Sequence, residues 1–593
     1  MAIRLKPTLT SLACVSLLGA AACSDDGSVD GGEGADEIGT EESSSTTDAG
    51  SESESASGSA ESSSESSSEE SESSSEVDSG VTDDPMESSS ESAEDTTTDT
   101  TETGEPCGPE CCPGEHTCEG EVSLTCNEDG TEWEQDEVCD SLQGVVCSED
   151  SGLCEGACSE SALGQSYIGC DYYPTVTPQY DPYNDAPKDE FAVAVANTGA
   201  EDAIILVTQG DDTVYDTVVS AGSVEVITLP WVNAMTKGSG PSALIVDGAY
   251  RLRSDRPIVV YQYNPLDSTT TNDASLMLPV NVWGKETMVA SWPHWSSIPA
   301  FYTVVAHEDN TTVTLTPPPG GVAVSAGGGV ASDGSGQIVL DNSDAINVIT
   351  STTNADLTGS LVVADKPVQV IGGHKCTNVP ANITACDHLE EALFPIETLA
   401  DEYIVVPPAQ VPNDNLDKAQ MVRVIATEDD TTLTFEPDQG VSTNLASAGD
   451  FVQLSSTTAA FKVTGDKPIM VVQYMVGQSA GYGTSDPAMV QAVTPGQFRT
   501  DYLFFAAPSW TANYVDIIAP TDASVTVDGA AVADWSAVGT SGYSVAHVEL
   551  SNAGDGTHSV SADDKVGISV YGVQSAGSYW YPGGLELLQL NPQ

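Results

Sequence analysis

Cys376 and Cys386 are the only cysteines beyond Cys170 in this chain of 593 residues, and each has a histidine two positions away. The two stretches read His374-Lys375-Cys376 and Cys386-Asp387-His388. In a strand, residues i and i+2 share a face, so pairing of the two flanks brings His374, Cys376, Cys386 and His388 together. Two thiolates and two imidazoles suit a tetrahedral Cys2His2 metal site. Two lone thiols in an oxidising compartment form a disulfide instead. The compartment decides between these readings.

Hydrolytic chemistry needs a nucleophile with a positioned base, or a metal. His294, His307, His547 and His558 are scattered along the sequence. The chain is therefore expected to be non-catalytic and to carry no cofactor. The turns Glu308-Asp309-Asn310, Asp341-Asn342-Ser343-Asp344 and Glu428-Asp429-Asp430 offer oxygens to calcium. None follows an EF-hand loop, and Asp and Asn are common between strands, so they are read as ordinary turns. Trp292-Pro293-His294-Trp295 and Tyr579-Trp580-Tyr581 offer faces for a glycan or a protein partner, or else core packing.

Charge narrows the partners. Sixteen Lys and Arg stand against 91 Asp and Glu, a formal net charge of −75, with no basic residue between Lys6 and Lys188. Such a surface repels nucleic acid and anionic lipid, so neither is a direct ligand. Arg4 and Lys6 precede an apolar run from Leu9 to Ala22, too short to span a bilayer and shaped like a signal peptide, residues 1–22. The run ends Leu18-Gly19-Ala20-Ala21-Ala22-Cys23. It resembles the lipobox of bacterial lipoproteins, with Ala20 where Leu is usual. Cys23 is the expected lipid anchor, and free secretion after cleavage at Ala22 is the alternative. Membrane contact is expected only through that anchor, at the cell envelope or outer surface. Residues 23–105 are mostly Ser, Glu, Asp, Thr and Gly, a composition that stays disordered and makes an acidic tether.

Residues 106–162 form a cysteine-rich module. Cys107, Cys111, Cys112, Cys118, Cys126, Cys139, Cys147, Cys154 and Cys158, with Cys170 shortly after, make an even set of ten. There is no C-x2-C pair, and His116 is the only histidine nearby. In an exported chain this reads as a disulfide framework paired among itself, with the connectivity open. Export also settles the expectation for Cys376 and Cys386. Each has only the other as a partner, so a Cys376–Cys386 disulfide is expected and the metal site is its alternative.

The remaining residues, 163–593, repeat. The phrase Asp255-Arg256-Pro257-Ile258-Val259-Val260 returns as Asp365-Lys366-Pro367-Val368-Gln369-Val370 and as Asp466-Lys467-Pro468-Ile469-Met470-Val471. A degraded copy runs from Ala562 to Val570. It reads as a polar turn, a proline at the first strand position, then a buried strand. A second phrase alternates threonine with aliphatics, as in Thr311-Thr312-Val313-Thr314-Leu315 and Thr431-Thr432-Leu433-Thr434-Phe435, which marks a half-buried strand. The repeats place four units near 163–278, 279–394, 395–494 and 495–593. An all-β fold is expected, with tandem antiparallel β-sandwich-like units; a four-bladed propeller with large blades is the alternative.

Several of these phrases resemble one family. Gly373-His374-Lys375-Cys376, Cys386-Asp387-His388-Leu389, Phe394-Pro395 and Tyr403-Ile404-Val405-Val406 are similar to the IgGFc-binding protein N-terminal domain. So are Asp255-Arg256-Pro257 and Leu276-Met277-Leu278-Pro279 leading into Trp283-Gly284. The resemblance covers roughly residues 165–590 and implies a binding or adhesion domain, with a protein or glycan partner at the cell surface. A structural coat without a specific ligand is the competing expectation, and a metal-handling lipoprotein a more distant one.

Overall fold

Each copy of the Asp-Pro phrase lies inside one long strand. The computed structural model describes residues 107–180, 190–236, 238, 240–266, 271–413 and 415–591. The leader, Cys23 and the tether lie outside the described residues. The four long strands are β1 (Arg251–Tyr263), β3 (Leu361–Thr377), β5 (Phe461–Met475) and β7 (Thr557–Gln574). After each comes a shorter one: β2 (Ala274–Leu276), β4 (Asp387–Ala392), β6 (Met489–Gln491) and β8 (Gly577–Pro582). The fold is all-β, built from repeated antiparallel, sandwich-like units.

The prolines do not start these strands, contrary to the sequence reading. In β3, Leu361–Ala364 pairs with the strands Thr311–Thr316 and Gly284–Met288. Beyond Pro367 the same strand pairs with Ala300–Ala306 and β4. The chain thus passes from one sheet of the unit to the other without ending, as strands do at sandwich corners. Register breaks at this point in all four copies. Proline is tolerated there because a bulge asks for no ladder N–H. The aspartate has a distinct task. Asp255 accepts the N–H of Ile204, Asp365 that of Thr312, Asp466 that of Thr432 and Asp563 that of Ser524, each at 2.7 Å. The corner carboxylate therefore caps the start of the neighbouring strand, which is why the two repeated phrases travel together. In the fourth copy Lys565 stands at the proline position, and the corner still forms.

The four short strands meet one another. β2 packs against β4 and β8, and β6 packs against the same two, which closes a ring of four units. The ends of this region are joined as well. Ser166 bridges Glu586, Tyr167 N–H donates to Leu585 O, and Leu587 N–H donates to Gln165 O. One strand is exchanged: Ala243–Ile245, from the first unit's stretch of sequence, adds to the edge of the second unit's sheet. Between the second and third units sits Arg423, 1% exposed. Its guanidinium lies 2.9 Å from Asp356, donates to Ser291 O and Thr358 Oγ1, and stacks on Trp292 and Phe451.

The cysteine-rich module has a three-stranded sheet (His116–Glu119, Val122–Cys126, Trp133–Val138) and few large apolar residues. Its bonds are Cys107–Cys112, Cys111–Cys126, Cys118–Cys147, Cys139–Cys154 and Cys158–Cys170. Half-cystines make most of its small core, as expected of a segment too short to bury much else. The last bond ties the module to the strand Gly169–Tyr172 of the first unit.

Candidate functional site

The stretch 372–389 lies where β3 ends and β4 begins, facing the ring centre. Gly372 and Gly373 are required by close approach. A Cβ on Gly373 would lie 2.0 Å from Leu389 O, and one on Gly372 2.0 Å from Ala290 O. Cys376 and Cys386 are bonded to each other, so neither sulfur has a thiolate to offer a metal. The two histidines turn to separate tasks. His374 Nδ1 accepts the Cys376 N–H at 3.1 Å, and burial holds its pKa well below the usual range, helped by His294 and His388. His388 is stacked on Phe301, with Nε2 3.0 Å from Thr177 Oγ1 and from Asn264 Nδ2. Glu390 completes that cluster, accepting from Thr177 at 2.8 Å and from Gln262 at 3.1 Å. Among the described residues no group of three or more His, Cys, Asp or Glu is placed to hold a metal. Replacing both cysteines by serine removes a cross-link with a sequence separation of 10. The expected loss is about 2–3 kcal/mol, read as a lower urea midpoint; an unchanged midpoint would mean the bond constrains nothing.

At the ring centre the backbone of the four short strands is satisfied by carboxylates. Asp273 Oδ1 accepts the N–H groups of Ala274 (2.9 Å) and Trp580 (3.0 Å), and Oδ2 those of Glu390 (3.2 Å) and Met489 (3.0 Å). One side chain thus bonds all four units. Asp387 adds Asn272 N–H (2.6 Å), His388 N–H (2.9 Å) and Ser578 N–H (3.0 Å). Sequence reading singled out neither aspartate for this role, and it passed over Glu390 and Glu391. The available signal was an acidic pair inside the apolar run Leu389 to Phe394.

Glu391 is buried and neither of its oxygens makes a hydrogen bond. Burial pushes its pKa well above 4.5, reinforced by Asp273 and Glu390. The Gln491 N–H points toward it without reaching bonding geometry, and offsets this only in part. A carboxyl raised on folding stabilises fully below its unfolded pKa and loses that contribution as pH climbs through the folded value. Stability is therefore expected to fall as pH rises above about 4.5. Glu391→Gln, which fixes the neutral form, should flatten the slope measured by chemical denaturation. An identical slope in the variant would remove Glu391 as its source.

A cleft of about 530 Å³ is lined by His294, Ser296, Ser297, Ser325 and Thr350–Thr353. A second of about 500 Å³ continues past Thr352 and Thr353 toward Asp450 and Phe451. Both offer hydroxyls and backbone groups to a hydrogen-bonding ligand. His294 is held by Thr350 Oγ1 at 2.9 Å, and that hydroxyl also accepts the Ala300 N–H. His547 lies between Asp516 (2.7 Å) of the fourth unit and Asp417 (3.5 Å) of the third. Although burial opposes its charge, the two carboxylates raise its pKa to about 10, which makes it a cationic bridge and a poor base.

Of the aromatic candidates from the sequence, most are occupied by packing and Trp295 is half-buried. Trp292 lies under Arg423, and Tyr579, Trp580 and Tyr581 are buried. In the acidic turns, Asp309 accepts the Asn342 N–H, Asp341 that of Asn310 and Asp429 that of Ala448. No helix among the described residues is long and apolar enough to cross a membrane.

A family model described as IgGFc binding protein matches residues 273–572, starting at the hub aspartate. A human protein described as IgGFc-binding protein is 26% identical over 359 residues, which cover 59% of this chain and 6% of that protein. No solved structure matches.

Proposed function

The chain belongs to the IgGFc binding protein family, and from that premise we propose that it is an exported, non-catalytic binding protein whose ligand is another protein. The family match across residues 273–572 carries this reading. It spans the hub, the staple at Cys376–Cys386 and the hydroxyl-lined clefts. Asp273 bonds all four units, and a scaffold tied in this way presents its loops at low ordering cost. In this reading Cys23 is the lipid anchor, the acidic tether holds the ring away from the envelope, and no metal or cofactor takes part. The human relative's name points to antibody Fc as the first ligand to try.

The test is direct. The mature chain is immobilised and exposed to immunoglobulin Fc, to Fab, and to proteins released from its own cell surface. Saturable binding, competed by free chain, supports the reading. Absence of any saturable protein ligand would favour a structural coat.

A further inference from the structure

Sheet edges are ready templates for a further strand, and proteins normally blunt them with short strands, charges or cover. Eight strands end the main pairing paths of the four large sheets, which allows an internal comparison. Three are strands of 2 residues (Asn444–Leu445, Ala530–Ala531, Ser536–Ala537), one of 3 (Ala243–Ile245), one of 5 (Gly336–Leu340) and one of 6 (Val224–Leu229). Phe451–Thr457 has 7, but turns Gln453, Ser455 and Ser456 to solvent. The longest is Asp212–Val219, with 8 residues.

The open face of this edge carries Val218 and, two residues along, Asp216. Val218 lies opposite Ile204 on the neighbouring strand, and the two are 56% and 58% exposed. The apolar surface continues toward the cysteine-rich module. The Ile204 N–H is bonded to Asp255, whose backbone carbonyl lies within 3.3 Å of a Cβ built on Gly144. Leu142 and Val146, either side of Gly144, are exposed as well. Asp211, Asp212 and Asp216 punctuate the edge, and no basic residue lies on Asp212–Val219. Two copies of this edge would set like charges against each other, in a chain of net charge −75. The occupant is therefore a basic segment of a different protein.

We propose that the edge strand Asp212–Val219 docks an extended, positively charged segment of a partner protein. The segment adds as a further antiparallel strand, sets an apolar side chain beside Val218 and, two residues along on the same face, a cation beside Asp216. The site lies outside the residues matched by the family model. It deepens the protein-binding reading and rests on it.

The probe is the peptide Thr-Lys-Thr-Val-Thr-Lys-Thr-Val-Thr, which alternates Lys and Val along one face, titrated into the full chain in about 0.15 M salt, where long-range attraction is screened. Its control is the same peptide N-methylated on alternate amides, which keeps charge and shape but cannot pair as a strand. The plain peptide is expected to bind at least tenfold more tightly, to protect amides of residues 212–219 from hydrogen exchange, and to lose at least tenfold in affinity for Val218→Lys. Equal binding of both peptides, protection elsewhere, an unaffected V218K variant, or no binding at all would each overturn the proposal. A protein ligand that binds V218K as well as the unmodified chain would remove the edge while leaving the binding function in place.

Discussion

Asp273→Ala is expected to abolish the cooperative fold of the four-unit ring. The substitution strands the N–H groups of Ala274, Glu390, Met489 and Trp580, one from each unit, in a region closed to water. Each buried, unpaired donor costs about 1–3 kcal/mol, and domains are stable by only about 5–15 kcal/mol. Burial raises the Asp273 pKa, while the N–H donors from Met489, Ala274 and Trp580 pull against that rise. Asp273→Asn keeps the volume but turns one acceptor into a donor facing two N–H groups, so it should fall between alanine and the unmodified chain. Urea denaturation followed by tryptophan fluorescence gives the order. A midpoint for Asp273→Ala close to that of the unmodified chain would show that the hub is dispensable.

Arg423→Ala should be the next most damaging change, by about 3–5 kcal/mol, because it leaves Asp356 with a largely buried carboxylate and no cation. The side chain also stacks on Trp292 at 4.5 Å and on Phe451 at 4.6 Å. Lysine supplies the charge but neither the planar fork nor the stacking, so Arg423→Lys is expected to recover less than half of the loss. A double-mutant cycle with Asp356→Ala separates the ion pair from the packing. Additive effects would contradict a direct pair across the second and third units.

How much of this was legible in the sequence depended on how far each interaction reaches along the chain. The Asp-Pro phrases located all four long strands, because a corner with its capping carboxylate repeats locally. Their prolines misled on strand starts, since proline suits a bulge as well as a first position, and only register tells them apart. The cysteines at 376 and 386 stood out by isolation, and the histidines beside them suggested a shared centre. In the structure one ring serves the Cys376 N–H and the other a Thr-Asn-Glu cluster. Asp273 was invisible for a physical reason: its partners beyond Ala274 lie 117, 216 and 307 residues away. The same applies to Arg423, which reads as one cation in a strand until Asp356, Trp292 and Phe451 are assembled around it. Repetition shows what each unit is, whereas closure of the ring depends on contacts between units that no repeat encodes.

Closure can be measured as cooperativity. Differential scanning calorimetry of the full chain is expected to show one endotherm for the four units, with calorimetric and van't Hoff enthalpies in agreement. In Asp273→Asn that endotherm should broaden or split. Separate transitions in the unmodified chain, one per unit or pair of units and insensitive to Asp273, would show four independent sandwiches in a row and contradict a ring held at its centre.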